Sequence, residues 1–79
     1  MDKLAQAIEL LKQIIEDRTV PKNIREAAQR AKESLESDDE LKVRIDRAIH
    51  ALDSVSEDPN MPIYTRTQIW NIVSILESM

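Results

Sequence analysis

The sequence predicts an all-α fold: a four-helix bundle of antiparallel helices, built from two copies of one helical hairpin. Three observations predict it. The 79-residue chain has no glycine, its apolar residues recur at helical spacing in four segments, and its second half repeats its first. Without glycine, the left-handed backbone of hairpin turns and bulges is hard to supply, so the composition turns away from sheet. The 42% hydrophobic content, mostly Ile, Leu, Ala and Val, suits a folded globule. A chain of this length makes one domain around one modest core, with repeats at about 2–37 and 38–79.

The elements follow in order. In 2–17, Leu4, Ala7, Ile8, Leu11, Ile14 and Ile15 fall on one wide helical face. Thr19-Val20-Pro21 opens the second helix, where proline fits the first turn. Its stripe is Ile24, Ala27, Ala28, Ala31 and Leu35, an alanine-rich surface that lets a neighbour approach closely. Ser37-Asp38-Asp39-Glu40 has the spacing of a capping box, with the Ser37 hydroxyl expected to accept from the Glu40 amide. The third helix buries Leu41, Ile45, Ala48, Ile49 and Leu52, and Glu57-Asp58-Pro59-Asn60 ends it in turn chemistry. The fourth begins at Met61-Pro62 and runs to the C-terminus. Each is expected to span about 16–19 residues, or ~24–28 Å.

The repeat has an offset of 41 residues. Ala7-Ile8 falls on Ala48-Ile49, Leu11 on Leu52, Glu16-Asp17 on Glu57-Asp58, Pro21 on Pro62, Arg25 on Arg66, and Leu35-Glu36-Ser37 on Leu76-Glu77-Ser78. Two amphipathic helices share Leu and Ile by chance. They do not by chance share an acidic pair, a proline and an arginine in one register.

The pattern Asp17, Pro21, Ile24-Arg25, Ala28 and Leu35 resembles a HEAT-type helical repeat. In that family a turn Asp and a second-helix Arg bridge neighbouring repeats, which implies ion pairs among Asp17, Arg25, Asp58 and Arg66. Both arginines, at the margin of their apolar stripes, are expected to brace the inter-helix loops or the repeat interface. The eight-residue spacing from Asp to Arg is longer than the family's usual one. Two repeats also fall short of the three a solenoid needs, so a closed bundle is expected and HEAT-like pairing is the alternative. The runs VPKNIREAAQRAKESL (20–35) and SEDPNMPIYTRTQIWNIVSILE (56–77) resemble an archaeal family of short helical proteins, an uncharacterised protein family without an established function. That resemblance covers nearly the whole chain. It implies archaeal origin and four helices, and it transfers no catalytic residue.

Composition narrows the function classes. With no cysteine there is no disulfide framework, thiol nucleophile or zinc knuckle, and with no glycine there is no phosphate-cradling loop. No run of about 20 apolar residues exists, and the charged N-terminal run lacks a signal-peptide layout. A cytoplasmic protein without a cofactor, metal or small-molecule substrate is expected. The net charge is −4. Seven bases and seven acids balance in 1–37, so 38–79 holds the whole excess. Nucleic-acid binders concentrate positive field, and this chain does not. The weak candidates for that role, Arg18, Lys22 and Arg25, share their helix side with Glu26, Glu33 and Glu36 and have no aromatic among them.

His50, the one histidine, shares a helix side with Asp46 and Asp53. Metal bundles use Glu-x-x-His pairs on facing helices, which are absent, so an exposed histidine among ion-pair neighbours is the expectation. Glu16-Asp17 and Glu57-Asp58 end helices and precede turns, where carboxylates cap or pair rather than catalyse. No enzyme is expected.

The fourth helix differs from its copy. Gln29 becomes Trp70, Lys32 becomes Val73 and Ser34 becomes Ile75, so apolar residues spread over more than half its circumference. Either this helix is the central one, or Trp70, Val73, Ile75 and Met79 form an interface with a protein partner or a second copy. A small interaction or structural domain is therefore expected, with accessory nucleic-acid binding through the second helix as the alternative.

Overall fold

The structure, a computed structural model, describes residues 2–79. It has four helices: α1 (Lys3–Glu16), α2 (Lys22–Leu35), α3 (Leu41–Asp53) and α4 (Ile63–Glu77). Among the described residues there is no strand. The helices are arranged in a ring: α1 meets α2 and α4, and α3 meets α2 and α4, while the diagonal pairs α1/α3 and α2/α4 do not approach.

The helices are 13–15 residues long, shorter than the expected 16–19. Side-chain chemistry at the ends sets the difference. The Asp2 carboxylate caps α1 by accepting from the Ala5 N–H at 2.7 Å. Asp17 leaves helical geometry and turns the chain. Pro21 and Pro62 stand one position ahead of α2 and α4, and their carbonyls accept the first helical N–H bonds, from Arg25 and Arg66, at 3.1 Å each.

The Ser37 capping box does not form. The Ser37 hydroxyl donates backwards to the Ser34 carbonyl at 2.9 Å, and Glu40 stands at the N-cap of α3 without a side-chain bond. The last turn of α2 has orphan carbonyls to satisfy. Ser37 takes one, and Arg44 donates to another, Leu35, at 3.0 Å.

One core cluster joins both repeats, and its members pair across the 41-residue offset. Ala7 with Ala48, Leu11 with Leu52, Ile14 with Val55, Val20 with Met61, Ile24 with Thr65, Ala28 with Ile69, Ala31 with Ile72, and Leu35 with Leu76 are all buried. The copies therefore use the same positions inward, with different volumes. In α2 the inward residues Ala27, Ala28 and Ala31 are small, and α2 has the most extensive contacts, with α3 first and α1 next. In α4 the matching residues are Gln68, Ile69 and Ile72, and the α3–α4 contact is the sparsest in the ring. Helix separation follows side-chain size at the contact. The open seam is a cleft of about 590 Å³ lined by the apolar Leu41, Ile45, Ile49, Leu76 and Met79 and by the charged Lys42, Asp46 and Glu77.

Volume swaps between the copies test this packing. Ala31→Ile copies Ile72 into the tight α2 seam and is expected to cost about 1–3 kcal/mol by overpacking. Ile72→Ala is expected to cost about 2–5 kcal/mol by leaving a cavity. Thr65 is fully buried and its hydroxyl has no hydrogen-bond partner, so Thr65→Val is expected to gain about 1 kcal/mol. Urea unfolding midpoints measure all three, and a stabilised Ala31→Ile variant would contradict the packing account.

Candidate interaction face on the fourth helix

The repeat carries its shared chemistry at one end of the bundle, where the α1–α2 loop (17–21) meets the α3–α4 loop (54–62). Asp17 Oδ1 accepts from the Thr19 N–H at 2.9 Å, and Asp58 Oδ1 accepts from the matching Asn60 N–H at 2.8 Å. Each carboxylate also accepts from the other repeat. Asn23 Nδ2 donates to Asp58 Oδ2 at 2.6 Å, and the Tyr64 hydroxyl donates to Asp17 Oδ2 at 3.2 Å. Asn23 and Tyr64 are themselves related by the 41-residue offset. The clasp is thus reciprocal: each hairpin holds the other's turn through the same position.

These bonds favour the charged carboxylates. The Thr19 hydroxyl, donating at 2.6 Å, holds the Asp17 carboxyl below its ordinary 3.8, helped by the Thr19 N–H and then Tyr64. The Asn23 side chain does the same for Asp58, helped by the Asn60 N–H and then by the charge of Arg66.

The expected Asp17–Arg25 and Asp58–Arg66 ion pairs are not formed. The ion pairs among the described residues are Glu9–Lys12, Lys32–Glu36 and Asp39–Arg47. Both arginines reach backbone carbonyls in their own repeat's loop. Arg25 Nε donates to the Val20 carbonyl at 2.9 Å, and Arg66 donates to the carbonyls of Ser56 and Asp58, the latter at 3.2 Å. A guanidinium presents several donors in a fixed fork, which suits a turn whose carbonyls point inward. The carboxylates are meanwhile taken up by nearer amides and hydroxyls.

Other candidates disperse. Arg18 and Arg25 line one hollow together with Glu16 and Ile15, and Lys22 is not among its lining residues. His50 is exposed, and among the described residues no three of His, Asp and Glu come together to hold a metal ion.

The four candidate interface residues separate. Val73 and Ile75 are half-buried against the core. Met79, 41% exposed, lines the α3–α4 cleft. Trp70 points outward, 77% exposed, and Ile63, 83% exposed, joins it. Ile63, Arg66, Thr67 and Trp70 surround a hollow of about 140 Å³. Thr65, Ile69, Ile72 and Leu76 occupy the opposite, inner side of α4. The signal for Ile63 lay in the same alignment, since its counterpart is Lys22.

A family model described as "Uncharacterised protein family (UPF0147)" matches residues 1–79. The chain belongs to the UPF0147 family. Relatives in that family come from archaea. The chain is 59% identical over 69 residues to the UPF0147 protein of Methanocaldococcus jannaschii, covering 86% of this chain and 74% of that protein. It is 49% identical over 79 residues to that of Metallosphaera sedula, covering 98% and 88%. Two crystal structures share the fold. One is of MMP1188, a protein of unknown function, with TM-score 0.95 and 56% identity over 98% of this chain and 89% of that one. The other is of a UPF0147 protein from Thermoplasma acidophilum, with TM-score 0.91 and 35% identity over 96% and 91%. The four-helix fold expected from the resemblance is the fold of the UPF0147 family, whose function is uncharacterised.

The clasp makes an acid-range prediction. Both carboxyls titrate below 3.8, so in acid the folded chain binds fewer protons than the unfolded one. The stabilisation is complete above 3.8 and is lost as pH falls through the lower folded values. Asp17→Asn and Asp58→Asn are expected to melt below the parent protein at about pH 6, and the gap is expected to close as pH falls below 3.8 through the lower folded values. Identical melting curves at the higher pH would contradict the charged clasp.

Proposed function

We propose that this domain is a non-catalytic protein–protein interaction module whose docking surface is the outer face of α4. The supporting observation is an internal comparison. The outward positions of α2 hold Lys22, Glu26, Gln29, Arg30 and Glu33, an ordinary solvated surface. The same positions of α4 hold Ile63, Thr67, Trp70, Asn71 and Ser74, all uncharged. The two helices bury matching inner positions, so folding asks the same of both outer faces. An exposed tryptophan beside an exposed isoleucine is the composition of a binding hot spot, and Trp is enriched there. Among the described residues no helix is long and apolar enough to cross a membrane, and the expected cytoplasmic setting belongs to this same proposal.

Recovery of partners from source-cell extract tests the reading. The parent protein is expected to retain a partner that Trp70→Ala loses, with affinity weaker by roughly 30-fold for a hot spot of about 2 kcal/mol. Identical recovery by both, with unchanged helical circular dichroism, would contradict it.

A further inference from the structure

We propose that the occupant of the α4 outer face is a second copy of this chain, docked antiparallel so that Trp70 of each copy seats in the other's hollow. This rests on reading α4 as an interaction face.

The hollow is lined by Ile63, Arg66, Thr67 and Trp70. Their spacing is i, i+3, i+4 and i+7, the four-residue hole that takes a knob from a facing helix. The knob is on the same stripe, since Trp70 is 77% exposed. A two-fold contact requires one patch to supply both halves, so that residue i meets j and j meets i. Seating Trp70 at the level of Arg66 and Thr67 in an antiparallel partner sets Ile63 beside the other copy's Val73–Ser74 turn. The hole is then filled by the partner copy's indole, and the outward isoleucine is covered by a turn of the facing helix.

The face is nearly free of charge. The chain carries −4, and its second repeat carries all of the excess. Yet residues 63–76 contain no acid, and Arg66 is the one charge on the stretch. Two copies meet here without opposing carboxylates; the one like-charge pair is Arg66 with its counterpart. Arg66 has its terminal NH groups on the carbonyls of Ser56 and Asp58, which leaves the flat face of the guanidinium to meet the incoming indole. Antiparallel packing also sets the two helix dipoles against each other favourably. A 15-residue helix presents a face about 22 Å long, so the contact falls at the small end of specific interfaces. It is therefore expected to be a weak dimer, with Kd on the order of 10 µM.

Sedimentation velocity of the full chain from about 5 to about 500 µM, bracketing that affinity, measures the association. The parent protein is expected to pass from monomer to dimer, and Trp70→Ala to stay monomeric with unchanged circular dichroism. The chain has no cysteine, so single cysteines report the register. With copper–phenanthroline as oxidant, Thr67→Cys, nearest the two-fold axis, is expected to form a disulfide-linked dimer, and Ser74→Cys is not. Monomer throughout the range overturns the second copy. If extract capture still depends on Trp70 in that case, the interaction face stands with a different partner. Dimerisation unaffected by Trp70→Ala, or cross-linking stronger at residue 74 than at 67, overturns the proposed docking.

Discussion

Each hairpin of this protein buries its apolar face against the other copy of itself, and everything else in the structure is arranged around that requirement. A two-helix unit has no interior of its own, so stacking has to supply one. Here stacking stops at two copies and closes into a ring. Eight pairs of equivalent positions are buried in both repeats. They include Ile24 and Thr65, where the second copy tolerates a buried hydroxyl without a partner because the position still has to face inward.

The loop clasp repeats the same logic in polar chemistry. Asp17 and Asp58 each close their own turn with a backbone amide and then take a side-chain donor from the opposite repeat. Arg25 and Arg66 keep those turns in shape from behind through carbonyls. The carboxylates thus join the repeats and the arginines shape the loops. Small inward residues draw α2 against both neighbours. Larger ones hold α4 away from α3 and leave a cleft between them.

The helices, the inward stripes and the repeat were all readable from spacing, because periodicity reports which side of a helix is buried. Competition between polar partners was not readable. Ser37 has the spacing of a capping residue, yet it turns back to Ser34, because the orphan carbonyls of α2 lie nearer. The turn acids and second-helix arginines sit in one repeat unit, yet the acids take hydroxyl, amide and Asn side-chain donors while the arginines take backbone carbonyls. Asn23 and Tyr64 share a role across the repeat without sharing chemistry beyond one donor, so identity matching passed over them. On α4, contrast with α2 singled out Trp70 but left open whether it faces the core or solvent; it is exposed. Nor did the contrast separate Val73 and Ile75, whose half-burial depends on neighbours that a helical wheel does not contain.

The inner face of α4 is accounted for by folding, and its outer face is not. Ile63 and Trp70 stand in solvent where the other copy of the same helix carries Lys22 and Gln29. If the fold has no use for these two side chains, they can be exchanged for the residues of the first repeat without loss. The most direct measurement is urea unfolding of the Ile63→Lys/Trp70→Gln protein, at a concentration low enough to exclude association. The account predicts stability within about 0.5 kcal/mol of the parent, as for surface substitutions that touch no core contact. Destabilisation of about 2 kcal/mol or more would contradict it, because it would place Ile63 and Trp70 among the residues that hold the bundle together.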